Sequence, residues 1–381
     1  MKWNSLIRLV VLRFLILLLT PLLFVFATPS YATTSRFLLV SPGSADNPHW
    51  QNAVMLAQQA ACQLNVELQV GYVSPKKRSN WLAISSYIDQ DRALDGVIFM
   101  AQPTEDNQVL FSKLEQHAVP YITLENSLPP EAMASLETHK SRYPRWLAHL
   151  SFDDVQAGYL LAKALIERAK ASQAPPYQLI ALSGAHIEIA RQRNKGLHMA
   201  LGESPDVTLN QLIYTNWDPE RSRSQTLKLL KRYPETNIIW AASDKSALGA
   251  QQALGELGIK PHQQMALGGI DWQANALKAI KKGEYSASVG GHVLLASYAL
   301  VELFDAANGA DPQSDSRNFA NLAISHPGQT QAASMATLSR IDFRALSRAL
   351  SPDKRDHQLT MDKLQPTSPT LLSKACLPQP N

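Results

Sequence analysis

Short apolar runs alternate with longer amphipathic ones along this chain, and that alternation restricts the fold more than any single residue does. "RFLLV" (36–40), "VELQVGYV" (66–73), "DGVIFMA" (95–101) and "VPYITLE" (119–125) are bounded by turn formers and rich in β-branched and aromatic residues, as strands are. Between them, 48–64, 79–93 and 107–117 space their apolar residues as helices do. An excursion at 126–147, with Pro129, Pro130 and Pro144, interrupts the rhythm. It restarts at "AHLSFDD" (148–154), followed by a helix at 154–171. Strands at 178–184, 209–216, 237–242, 265–271 and 286–292 then alternate with helices at 187–202, 219–232, 244–257, 273–281 and 293–307. A last strand is read at 321–325 and a short helix at 341–350. Such an order predicts parallel sheets with helices on both faces. The strands are too many for one sheet of ordinary width, and 381 residues suit two domains. The expected fold is therefore α/β, two doubly wound Rossmann-like parallel-sheet lobes.

The first 32 residues stand apart. Lys2, Arg8 and Arg13 precede an apolar run, Phe14 to Ala27, and Ser30 and Ala32 are the small residues of a cleavage site. The run is shorter than the roughly 20 residues a spanning helix needs, so it predicts a cleavable secretory signal at 1–32. The expected destination is a Gram-negative periplasm. The formal charge of +4 includes those three leader cations and no leader acid, so the exported chain carries about +1. A nucleic-acid partner is not expected of a chain so balanced. Cys62 and Cys376 are the only cysteines. They read as a candidate disulfide in an oxidising compartment, with Cys62 equally readable as a small buried side chain. Residues 351–381, with five prolines, read as an extended tail.

Polar and aromatic residues gather where the expected strands end: Asn47, His49 and Trp50; Glu125 and Asn126; Arg191; Trp217; Ser243 and Asp244; Asp271; and His292. In an open parallel sheet ligands bind at that edge. Indoles stack on the C–H face of a sugar ring, and carboxylates, amides and guanidinium groups hydrogen-bond its hydroxyls. Plainer readings stand beside these. Ser243 and Asp244 fit a helix N-cap, Trp217 precedes a cap-like "DPE", Arg191 fits a solvated helix charge and His292 a core histidine. Metal-binding, nucleophile-elbow and phosphate-loop motifs are absent from the sequence. No cofactor and no catalytic activity are expected. Paired carboxylates of a periplasmic hydrolase remain a rival reading.

The order of segments resembles the type I periplasmic binding proteins, in particular their ribose- and galactose-binding branch. The likeness is carried by "NPHW", "VPYITLEN", "LSFDDVQAGYLLAKAL", "LSGAHIEIARQRNKGLHMAL", "TNWDPERS", "AASDKSALGAQQAL" and "GGIDWQANALKAI". The resemblance implies a hinge of three crossings, near Ser151, Gly291 and Ser325. It divides the chain into 33–150 plus 292–325 as one lobe and 151–291 plus 326–350 as the other. It implies that Arg191 grips the ligand and Trp217 stacks on it. The implied function is capture of a sugar-like ligand by a monomer and its presentation to an inner-membrane ABC-type permease. A looser likeness of "SVGGHVLLASYALVELFDAANGAD" to autoinducer receptors implies the alternative of a sensory adaptor that signals to a membrane kinase or cyclase. A transcription regulator of this fold is disfavoured by the leader.

Overall fold

The computed structural model describes residues 34–41, 44–45, 47–73, 80–90, 93–101, 104–124, 142–261, 264–310, 317–319, 323–325, 338 and 341–350. The leader, Glu125, Asn126, most of the excursion, the tail with Cys376, and the side chain of His49 lie outside them.

The first half of the chain runs β1 (Arg36–Ser41), α1 (Pro48–Leu64), β2 (Glu67–Tyr72), α2 (Asn80–Gln90), β3 (Gly96–Met100), α3 (Thr104–Gln116), β4 (Tyr121–Leu124) and β5 (Trp146–Phe152). All these strands pair in parallel, with β1 between β2 and β3. The pleat of β1 explains its unbroken apolar run. Phe37 and Leu39 join the core with α1 residues such as Leu56 and Ala60, while Leu38 and Val40 pack with Ile84 of α2 and Phe111 of α3. Both faces are covered, so the four positions between Arg36 and Ser41 are all apolar. Each such fully buried aliphatic residue contributes about 1.5–3 kcal/mol. Strand β5 overlaps the end of the excursion at 126–147 and the "AHLSFDD" segment at which the rhythm restarts. It is a full strand in register with β4, and Trp146 packs 5.5 Å from the ring of Phe111.

The second half runs α4 (Asp154–Ser172), β6 (Tyr177–Ser183), α5 (Glu188–Gly202), β7 (Val207–Tyr214), α6 (Pro219–Arg232), β8 (Ile238–Ala241), α7 (Asp244–Glu256), β9 (Ala266–Ile270), α8 (Ala274–Lys281) and β10 (Ala287–Gly290). Its strand order repeats the first: β6 lies between β7 and β8, and β9 and β10 follow. Helix α4 meets α5 through two glycines. A Cβ on Gly158 would lie 2.0 Å from the Arg193 carbonyl oxygen, and one on Gly196 would lie 1.9 Å from that of Val155. No other residue permits so close a crossing.

The chain passes between the sheets where β5 gives way to α4 and again at Gly291. A short 3₁₀ turn (His292–Leu294) then leads into α9 (Leu295–Ala307), which packs on α1 and on β3 and β4. Strand β11 (Arg317–Phe319) adds parallel to β5, and β12 (Ala323–Ser325) adds antiparallel to β10. The third passage thus falls between 319 and 323, and 323–325 belongs with the second sheet rather than the first. The placement of 341–350 in the second lobe is corrected as well. Gln63 on α1 donates to the Ile341 carbonyl (2.9 Å) and accepts from the Phe343 amide (2.8 Å). Arg348 pairs with Glu302 of α9 (2.7 Å). Only Phe343–Leu346, α10, is helical there.

Candidate functional site

In each sheet the strand order reverses once, between β1 and β3 and between β6 and β8. Side chains leaving the carboxyl ends at such reversals line a crevice. A cleft of about 260 Å³ lies there. From the first sheet it receives Asn47 and Trp50, at the β1-to-α1 junction, and Met100 at the end of β3. From the second come Ile187, Ile189 and Arg193, Trp217 after β7, Ser243 and Lys245 at the start of α7, and Asp271 and Gln273 after β9. Asn47, Trp50, Trp217, Ser243 and Asp271 thus line one cleft.

Arg193 occupies the place foreseen for Arg191. It is 5% exposed. Its Nε donates to Asp154 Oδ1 (2.8 Å) and its Nη1 to the Ala242 carbonyl (2.7 Å). Nη1 also lies 3.4 Å from Asp271 Oδ1, and Nη2 lies 3.3 Å from His292 Nε2. The guanidinium carbon stands 5.8 Å from the Trp217 ring centre, within cation–π range. Arg191 points outward and pairs with Glu188 one turn back. Two residues on a helix differ by roughly 200°, so only one of the pair can face the cleft. Burial pushes the Asp154 carboxyl upward, but the charge of Arg193 and the contact with His292 outweigh it and hold the group below the usual carboxylate range.

The backbone around the indoles is unusual. Asn216, Trp217, Asp271 and Trp272 all have positive φ, at 57°, 58°, 122° and 52°. Non-glycine residues rarely adopt such angles and keep them where surrounding structure enforces them. Trp217 lies flat on Gly184, where a Cβ would come 2.0 Å from the indole. Trp272 turns inward and is fully buried, its Nε1 donating to the Ser288 carbonyl (3.2 Å).

Asp244 and His292, both expected at the ligand, do not line the cleft. Ser243 caps α7 by accepting from the Ser246 amide, and the Asp244 carboxylate turns into the core. There it accepts from the Gln273 amide (2.8 Å) and the Ser288 hydroxyl (2.9 Å), which braces the 271–273 turn from behind. Burial, reinforced by the charge of Asp271, pushes its pKa up to about 8. His292 is buried against Phe152, with ring centres 4.5 Å apart, and acts on the cleft through Arg193. Glu125 and Asn126 lie outside the described residues. Met100, Ile187, Ile189, Lys245 and Gln273 were not foreseen. Arg193 carried a legible signal, a charge on the stripe formed by Ala190, Leu197 and Ala200.

No group of three or more metal-ligating side chains occurs among the described residues. Nor is any helix among them long and apolar enough to cross a membrane. Cys62 is on the exposed side of α1 and is disulfide-bonded. The one other cysteine in the sequence is Cys376.

Two doubly wound lobes with a small cleft at their facing switch points define a bilobed small-molecule binding protein. The chain belongs to the periplasmic binding protein domain family, whose model matches residues 38–311. Among solved structures, a periplasmic sugar-binding protein from Pseudomonas fluorescens is similar at 28% identity and a TM-score of 0.72, over 87% of this chain and 99% of that one. A periplasmic solute-binding protein of an ABC transporter from Actinobacillus succinogenes 130z, with bound D-allose, shares the fold. Its identity is 21% and its TM-score 0.66, over 78% of this chain and 98% of its own. The galactofuranose-binding protein YtfQ of Escherichia coli (strain K12) is 22% identical over 241 residues, 61% of this chain and 70% of that protein.

Proposed function

We propose that this protein captures a sugar or sugar-like molecule between its two lobes in the periplasm and presents it to an ABC-type transporter of the inner membrane. The observation that carries this reading is the pairing of Trp50 from one lobe with Trp217 and the Arg193–Asp271 pair from the other around one cleft. Indole faces accept the apolar side of a sugar ring, and the charged pair and the Asn47 and Gln273 amides hydrogen-bond hydroxyls. Each charge-assisted bond contributes about 1.5–3 kcal/mol. A cleft of about 260 Å³ falls below the range of roughly 300–1,000 Å³ usual for drug-sized ligands, which suits a single ring. The relatives, sugar binders and a transporter component among them, support the same reading.

We take one lobe as 35–152 with 292–319 and 341–350, and the other as 154–290 with 323–325. A ligand that touches both favours the closed arrangement by its differential affinity for it, and the membrane partner reads that state. Thermal denaturation of the exported chain against neutral and acidic monosaccharides tests this. A true ligand at about 100 times its Kd stabilises the fold by about 2.7 kcal/mol. Asp271→Asn is expected to remove that shift and leave the melting temperature of the free protein within a few degrees. An unchanged shift in this variant, or no shift with any sugar, contradicts the proposal.

A further inference from the structure

Among the described residues, the charges facing the cleft do not all find partners. The Arg193 guanidinium is engaged by Asp154, the Ala242 carbonyl, Asp271 and His292. Asp271 is engaged by Arg193 in return. Asp244 behind the turn is buried and bonded to Gln273 and Ser288. Lys245 is different. It lines the cleft and is exposed, and among the described residues its ammonium group meets no carboxylate and no hydrogen-bond acceptor.

Its position also costs stability unless something offsets it. Lys245 stands in the first turn of α7, where the helix dipole disfavours a cation. The only acid of that turn, Asp244, faces the core instead of the lysine. Arg193, the other cation lining the cleft, holds Asp154 and Asp271. An uncompensated ammonium at the cleft leaves room for an anionic group there, beside hydroxyls bound by Asp271 and a ring face on Trp217.

Building on the proposed sugar-binding reading, we infer that Lys245 sets a preference for an acidic sugar, one with a carboxylate or phosphate substituent on the ring, over its neutral parent. The Lys245 ammonium pairs with the anion, while Asn47, Asp271 and the indoles hold the ring.

The test compares neutral aldoses with their uronates, aldonates and sugar phosphates in thermal denaturation and titration calorimetry, at low and at 0.5 M salt. The expected result is that the tightest binder is acidic, and that Lys245→Met weakens it about tenfold more than it weakens the neutral parent sugar. High salt should erode the preference in the wild type, since exposed charges are screened. Lys245 is exposed and stands in the first turn of α7, so the variant is expected to melt at or slightly above the wild type. A neutral sugar as the tightest binder overturns this inference and leaves sugar binding standing. So does an acidic sugar bound equally by wild type and Lys245→Met. Absence of binding across the whole panel overturns the sugar-binding reading and the inference with it.

Discussion

Arg193 and Arg191 show how much one residue's orientation decides. Both sit on α5, two positions apart, yet one is enclosed by Asp154, Asp271 and His292 and the other lies against Glu188 at the surface. Arg193→Ala strips the buried Asp154 of its main counter-charge, a loss that costs about 3–5 kcal/mol. It is expected to lower the melting temperature and abolish ligand-induced stabilisation. Arg191→Ala is expected to change both by no more than about 0.5 kcal/mol, the usual scale for an exposed pair; differential scanning calorimetry separates the two.

Two buried groups give stability opposite pH dependences. His149, fully buried with Nδ1 3.0 Å from the Thr123 hydroxyl, is pushed down to about 4 by burial. Between pH 6.5 and about 4 the unfolded imidazole gains a proton that the folded one refuses, so its contribution is lost as pH falls. Asp244, raised to about 8, keeps a proton in the fold that the unfolded chain releases above its ordinary value, so stability falls as pH rises from about 4 to 8. Melting temperatures measured from pH 4 to 8 are expected to show reduced acid sensitivity in His149→Asn. Asp244→Asn is expected to flatten the decline toward pH 8, with effects on the order of a few kcal/mol at the extremes.

At the scale of elements, the α4–α5 crossing delivers the cleft's cation. Gly158 and Gly196 allow the backbones to touch, with the Arg193 backbone lying directly against Gly158. Gly196→Ala places a methyl group into the Val155 carbonyl and forces the helices apart. It is expected to destabilise by several kcal/mol, beyond the 1–3 kcal/mol typical of overpacking, and to weaken ligand binding with Arg193 unchanged in sequence. A variant that melts and binds as the wild type contradicts this account. The strand-to-helix rhythm that placed α4, α5 and the β6–β10 strands was legible because parallel strands buried on both faces leave continuous apolar runs. Strand β5 was legible only as the restart at "AHLSFDD", because it follows a proline-rich stretch and breaks its run with His149, whose Nδ1 meets the Thr123 hydroxyl.

For the whole molecule, the notable feature is the return of 341–350 to the first sheet after the third passage. Gln63 bonds the backbone on both sides of α10's start, and Arg348 sits between Glu302 and Asp305 on α9. Arg348→Ala leaves two part-buried acids without their cation and is expected to destabilise the free protein by about 3 kcal/mol. Binding measured by calorimetry below the melting transition should be unaltered, because this contact is remote from the cleft-lining residues. A loss of ligand affinity in this variant would show that the segment takes part in the cleft's geometry.

Periodicity alone determined the two-lobed α/β architecture, since the spacing of apolar residues follows directly from which faces of each element must be covered. It also determined that Trp50, Trp217 and Asp271 stand at strand ends. Tertiary structure decided which of two neighbouring arginines enters the cleft, that Asp244 and His292 support it from behind, and that Lys245 faces it with no partner among the described residues. Those outcomes depend on side-chain direction and on contacts between residues far apart in the chain, which local pattern does not encode.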